Sequence, residues 1–225
     1  MRTIIIANGD PPTPADIVRR VAEGDRLLCA DGGARAALRY GMHPVLVIGD
    51  FDSLTPEELF ALEQGGAQLE RHPTHKDETD LELALLYAAH TEPAGEIIIL
   101  GGLGGRLDQT IANVMLLAMP ALRDCHVMIA AGDEQSFLIR PGRPFELRGQ
   151  AGDLVSLIPY GGDAHGIVTQ GLEYPLRNES LYIGPARGVS NVMLADRATI
   201  MFREGLLLCV QTNSAAIPLP QLPRP

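Results

Sequence analysis

Over the first 130 residues, short apolar runs alternate with stretches of helical period. The runs lie at 3–7, 27–30, 45–48, 67–70, 96–100 and 126–130. Several are unbroken rather than alternating, the pattern of strands covered on both faces. Helix starts fall between them. Thr13-Pro14 is an N-cap with proline at the first helical position, and Thr55-Pro56-Glu57-Glu58 adds a capping box to the same arrangement. Thr79-Asp80-Leu81-Glu82 is a second capping box, and Glu82 is assigned mainly to it. Strand–helix alternation of this kind predicts a mainly parallel sheet with flanking helices.

Past about residue 132 the pattern changes. Short strand-like runs at 154–158, 164–169, 181–183, 198–202 and 206–210 are separated by Gly, Pro or Asn, and no helical period survives. The expectation is an α/β domain over 1–140, an all-β antiparallel sandwich over 141–212, and an extended proline-rich tail over 213–225 without a core role.

Composition narrows the function classes. A chain of 225 residues with 46% hydrophobic content buries enough surface to fold without staples. The net charge of −10 argues against general nucleic-acid binding, which needs a basic face. Local cations or a metal could still hold a phosphate. Cys29, Cys125 and Cys209 lie far apart with no CxxC pair, so a cysteine zinc site is not expected. No run approaches a membrane span, and Met1-Arg2 leads directly into a strand without a signal-peptide layout. A cytoplasmic protein is therefore expected. Of the 18 cations only Lys76 is a lysine, and it stands within the most acidic motif.

The candidate chemistry sits where the predicted strands end. In an open α/β sheet, ligands bind beyond the carboxyl ends of the strands. There the chain carries Asn8-Gly9-Asp10, then Ala30-Asp31-Gly32-Gly33, then Gly49-Asp50-Phe51-Asp52-Ser53. Lys76-Asp77-Glu78-Thr79-Asp80 follows the fourth run, and the glycine segment 101–105 with Arg106-Leu107-Asp108-Gln109 follows the fifth. Asp50 and Asp52, two apart, point to one side if the backbone is extended. Paired carboxylates are costly unless a cation sits between them, and oxygen ligands suit Mg²⁺. Asp77 and Asp80 share one face of a helix start, where capping is the simpler reading. The glycine segment can offer backbone N–H groups to an anion, with Arg106 as a fixed cation. It is neither a Walker A loop nor a dinucleotide fingerprint, since Gly-Lys-Ser/Thr and the third glycine are both missing.

These segments, with Gly171-Leu172-Glu173-Tyr174-Pro175-Leu176 and Gly188-Val189-Ser190-Asn191 in the β region, stand in the order found in thiamine pyrophosphokinases, and the chain resembles that family to about residue 212. The resemblance implies an α/β catalytic domain, a C-terminal β-sandwich that binds thiamine, and a homodimer completing the thiamine pocket. It implies Mg²⁺-dependent transfer of a diphosphate from ATP to the thiamine hydroxyl, giving thiamine diphosphate and AMP. It puts the metal on Asp50, Asp52 and Asp80. It gives the nucleotide to Arg106, Asp108, Gln109 and the Asp31-Gly32-Gly33 turn, and thiamine to Tyr174, Ser190 and Asn191; Asn8, Lys76 and Thr79 on the same rim are further nucleotide-binding candidates. Some relatives carry Trp at the Tyr174 position, whereas this chain has no Trp. Asp31 and Asp77 are the candidate acceptors of the hydroxyl proton, unless the metal itself makes that hydroxyl acidic. Two other classes fit the same residues. One is a metal-dependent nucleotide hydrolase, and the other a non-catalytic nucleotide or thiamine sensor.

Overall fold

A computed structural model describes residues 2–214, so nearly all of the expected proline-rich tail lies outside the described residues. The chain forms two compact units, Met1–Gly132 and Asp133–Pro225. The division falls ahead of residue 140, where the pattern of the sequence puts it.

The first unit is built on six strands: β1 (Arg2–Ile6), β2 (Arg26–Ala30), β3 (Leu46–Gly49), β4 (Gln68–Arg71), β5 (Glu96–Leu100) and β6 (His126–Ala131). They pair in the order β6-β5-β1-β2-β3-β4, all parallel. Central strands of such a sheet face helices on both sides, so both faces must be apolar. Ile4, Ile5 and Ile6 of β1 are accordingly fully buried, while β4, at the edge, is half exposed. Five helices connect the strands: α1 (Pro14–Arg20), α2 (Ala34–Arg39), α3 (Pro56–Gln64), α4 (Asp80–Thr91) and α5 (Leu107–Leu116).

The caps start the helices where the sequence puts them. In α3, Thr55 Oγ1 accepts from the Glu58 amide at 3.2 Å and Glu58 Oε2 accepts from the Thr55 amide at 2.9 Å. Helix α1 carries a full box as well, with Asp16 in the usual Glu/Gln role. In α4 only the forward half forms, from the Glu82 amide to Thr79 Oγ1, so the box expected there is a simple N-cap.

Strand β1 pairs with β2 on one side and β5 on the other, and the chain's winding reverses there. This is the topological switch point, where the loops after adjacent strands diverge and leave a crevice. The loops after β1 and β5 are zipped together. Gly9 N donates to Gly101 O at 2.8 Å and Asp10 N to Leu103 O at 2.9 Å. A Cβ on Gly101, whose φ is +66°, would lie 2.6 Å from the Ala7 carbonyl oxygen, so the approach requires glycine twice over.

The second unit holds β7 (Glu134–Ile139), β8 (Phe145–Arg148), β9 (Leu154–Pro159), β10 (Ala164–Gln170), β11 (Arg177–Leu181), β12 (Asn191–Val192), β13 (Arg197–Met201) and β14 (Leu207–Thr212). They form two four-stranded antiparallel sheets, β12-β9-β14-β7 and β11-β10-β13-β8, with no helix among the described residues. The rings of Phe137 in the first sheet and Phe145 in the second lie 5.4 Å apart, as in the core of a sandwich. The strand expected at 181–183 instead ends at Leu181 and begins at Arg177. Strands β7, β8 and β12 had no counterpart in the sequence reading.

Candidate functional site

The first unit contains a cavity of about 760 Å³ beyond the carboxyl ends of its strands. Each strand-end segment contributes to it: Asn8 and Asp10 after β1, Asp31 after β2, Asp50 and Asp52 after β3, Lys76, Thr79 and Asp80 ahead of α4, and Arg106 and Gln109 after β5.

Its floor is acidic. Asp31, Asp50 and Asp52 each offer a carboxylate oxygen, and the three oxygens lie within 4.8 Å of one another. Asp31 begins the tight turn Asp31–Gly33 with φ +42°, a strained value for a residue with a Cβ. A Cβ on Gly32 would fall 2.3 Å from Asn8 Oδ1, so that glycine lets the Asn8 amide lie against the turn. Asn8 Nδ2 reaches Asp31 Oδ2 at 3.5 Å, but Asp31 Oδ1 is buried without a partner. A buried, unpartnered carboxylate oxygen is costly, and a bound cation would remove that cost.

The Asp50–Asp52 segment is not extended. Phe51 between them has φ +65°, and the Asp52 amide donates to Asp50 Oδ1 at 3.1 Å. The two carboxylates therefore meet across a turn rather than by strand alternation. Burial of the Phe51 ring in the core holds that backbone. The Asp52 amide is the main cause holding the Asp50 carboxyl below its usual range, with Thr74 and the Lys76 charge assisting.

Asp80 lies outside the three-carboxylate group. Its Oδ1 is 2.9 Å from Lys76 Nζ, an ion pair whose geometry leaves that oxygen without a proper hydrogen bond. Burial pushes the Asp80 carboxyl up, Lys76 opposes this, and the charges of Asp31 and Asp50 add to it. Asp80 thus shares the cavity and feels its floor, while its nearest partner is the ammonium.

Asp77, named with Asp31 as a proton acceptor, is exposed and does not line the cavity. Glu78 takes that place. Arg106 Nε donates to Asp108 Oδ1 at 3.1 Å, so Asp108 holds the guanidinium without lining the cavity itself. Gly32 and Gly33 act as backbone of the Asp31 turn. Thr74, Glu78 and Asn113, to which the sequence assigns no role, also line the cavity. Asn113 could have been found, since it stands one turn after Gln109 on α5. It is buried, and its Nδ2 donates to the Gly102 carbonyl at 2.8 Å.

In the second unit, Tyr174 and Asn191 come together. Asn191 Oδ1 accepts from the Tyr174 amide at 3.0 Å and the Val192 amide at 2.9 Å, and its Nδ2 donates to the Tyr174 carbonyl at 2.8 Å. The Asn191 carboxamide is thereby occupied in bracketing the Tyr174 backbone. The Tyr174 ring is left exposed. Ser190 has φ +61°, and its amide donates to Ser156 Oγ at 3.1 Å.

Residues 19–129 match the family model "Thiamin pyrophosphokinase, catalytic domain", and residues 145–207 match "Thiamin pyrophosphokinase, vitamin B1 binding domain". The chain is 30% identical over 215 residues to thiamine pyrophosphokinase of Bacillus subtilis, covering 95% of this chain and 100% of that protein. It belongs to the thiamin pyrophosphokinase family. Thiamine pyrophosphokinase 1 of Oryza sativa is 27% identical, over 83% of this chain and 79% of that protein. Among solved structures, the Bacillus subtilis thiamine pyrophosphokinase superposes with a TM-score of 0.85 at 27% identity, covering 96% of this chain and 100% of that one. The yeast thiamin pyrophosphokinase shares the fold, with a TM-score of 0.79 at 18% identity over 94% of this chain and 86% of that one. As a thiamin pyrophosphokinase the chain is an enzyme, a thiamine diphosphokinase.

Proposed function

We propose that this thiamine diphosphokinase binds ATP in the first unit's cavity, uses Mg²⁺ there, and releases AMP with thiamine diphosphate. The observation that carries the reading is the buried, unpartnered Asp31 Oδ1 beside the Asp50 and Asp52 oxygens. Three hard oxygen donors at the mouth of a parallel sheet fit Mg²⁺, which takes carboxylates together with substrate phosphates. Asp31, Asp50 and Asp52 would hold the ion, which when bound neutralises charge on the triphosphate.

The chain's own residues do the rest. Asp80 keeps the Lys76 ammonium at the cavity wall, aimed at phosphate oxygens. Arg106, aligned by Asp108, offers a planar fork for the departing AMP phosphate. Diphosphoryl transfer depends on such placement and charge neutralisation more than on covalent help. In the second unit the exposed Tyr174 ring provides an aromatic face for the thiazolium cation, worth about 0.5–2 kcal/mol. Asn191 sets that face through the Tyr174 backbone, and Ser190 precedes Asn191 in the chain.

The enzyme works as a homodimer in the cytoplasm. An apolar stripe on α5 supports the dimer: Leu107, Ile111 and Met115, four residues apart, are 74%, 51% and 62% exposed. Three free cysteines suit a reducing compartment. No helix of the described residues is long and apolar enough to cross a membrane.

The deciding experiment is product analysis with ATP, Mg²⁺ and thiamine. Thiamine diphosphate and AMP are expected in equal amounts, and nucleotide turnover without thiamine should be negligible. ADP as product would refute diphosphoryl transfer, and AMP formed without thiamine would mean a hydrolase. Asp50→Ala should abolish turnover, at a cost of about 10²-fold or more.

A further inference from the structure

The turn that presents Asp50 and Asp52 is held in an unfavourable backbone state. Phe51 sits at φ +65°, a region that is costly for a non-glycine residue and persists only where the surroundings over-determine it. Burial of the ring accounts for one side of the restraint. The other side is Arg71, the last residue of β4. Its guanidinium carbon lies 4.7 Å over the Phe51 ring centroid, and its Nη1 donates to the Asp50 carbonyl at 2.7 Å. The sheet fixes its place, since Arg71 is the register partner of Gly49 and the next amide, His72 N, donates to Gly49 O at 2.9 Å. Among the described residues no carboxylate pairs with this guanidinium, so nothing draws it off the turn. Arg71 does not line the cavity.

We infer that Arg71 is a positioning residue, which holds the Asp50-Phe51-Asp52 turn in the shape that brings both carboxylates to the Asp31 oxygen. It touches neither substrate nor metal. One planar group does two jobs, covering the outer face of the ring while capping the carbonyl of the first carboxylate residue. Lysine could satisfy the carbonyl but would cover the ring poorly. The inference rests on the proposed Mg²⁺ reading and adds a residue outside the ligand set.

The test is Mn²⁺ binding to the full chain without nucleotide, followed by electron paramagnetic resonance, for wild type, Arg71→Lys and Arg71→Met. Losing a charge-assisted hydrogen bond and a cation–π contact should weaken Mn²⁺ binding in Arg71→Met by about tenfold or more. Arg71→Lys should fall between it and wild type. In the activity assay Arg71→Met should need more Mg²⁺ for half-maximal rate yet recover most of its kcat at saturating metal, a split that general loosening of the fold would not produce. Wild-type Mn²⁺ affinity in a folded Arg71→Met would overturn the inference. So would weakened binding in both variants with kcat not recovered at any Mg²⁺ concentration. If wild type itself takes up no Mn²⁺, the metal reading fails first and takes this inference with it.

Discussion

Asp153 illustrates what one buried side chain does in the second unit. It is 1% exposed, and its carboxylate accepts from the Ser214 amide at 2.8 Å, the Gln150 amide at 2.9 Å and Gln211 Nε2 at 3.3 Å. Desolvation pushes its pKa up, but the Ser214 and Gln150 amides, the Ser214 hydroxyl and Gln211 outweigh this and hold it below the ordinary value. A carboxyl whose folded pKa is depressed adds stability above its unfolded pKa of about 3.9, and that stability is lost as pH falls through the folded value. Asp153→Asn should therefore lower stability at pH 7 by about 1–3 kcal/mol. In urea melts across pH, the gap to wild type should narrow below about pH 4. A gap that stays constant down to pH 2.5 would show that the charge contributes nothing. The first unit has the opposite case in Asp31, whose Oδ1 is buried with no donor to offset its desolvation. Asp31 opens a turn after β2 and Asp153 follows one, but neither position tells in advance which carboxylate is fully bonded. What separates them is the set of donors: Asp153 has the local Gln150 amide and, from far along the chain, Ser214 and Gln211, whereas Asp31 Oδ1 has none.

Elements were legible where their causes are local. The Thr13, Thr55 and Thr79 caps start α1, α3 and α4, and the unbroken apolar runs become β1, β2, β3 and β5. Thr55→Ala should cost about 1 kcal/mol in urea unfolding while leaving kcat unchanged, because the α3 cap lies outside the cavity. A matching loss of turnover would tie α3 to the site after all. The β unit was harder to read. Strand β11 has the sequence Arg-Asn-Glu-Ser-Leu, with only Leu181 buried, and its pairing with β10 defines it more than its own composition does. Strand β12 is two residues long and exists through its bond to β9. Such strands have no independent signal. The Asp50–Asp52 turn failed for a related reason, since a left-handed Phe is chosen by the core that receives its ring.

On the scale of the molecule, both units carry family resemblance, and the chain's two expected substrates draw on different parts of it. The α5 stripe makes the oligomer testable. Wild type should run as a dimer in light scattering at micromolar concentration, and Ile111→Asp should shift it toward monomer, because a buried unpaired charge at a contact is costly. A wild-type monomer, or an Ile111→Asp dimer of unchanged strength, would remove α5 from the interface.

By itself the sequence determined which rim of the first sheet gathers the polar and charged side chains. Carboxylates, glycines and the sole lysine follow the apolar runs, and a parallel sheet delivers the ends of its strands to one rim. It also determined the family, through motifs whose order survives without coordinates. Tertiary structure alone decided the grouping within that rim. Asp31 joins Asp50 and Asp52, while Asp80 turns to Lys76 and Asp77 stays in solvent. The reason is physical. Spacing along a chain sets local geometry over a few bonds, but which charges come within 4.8 Å of one another depends on how β1, β2 and β3 pair and on where buried groups such as Phe51 must go.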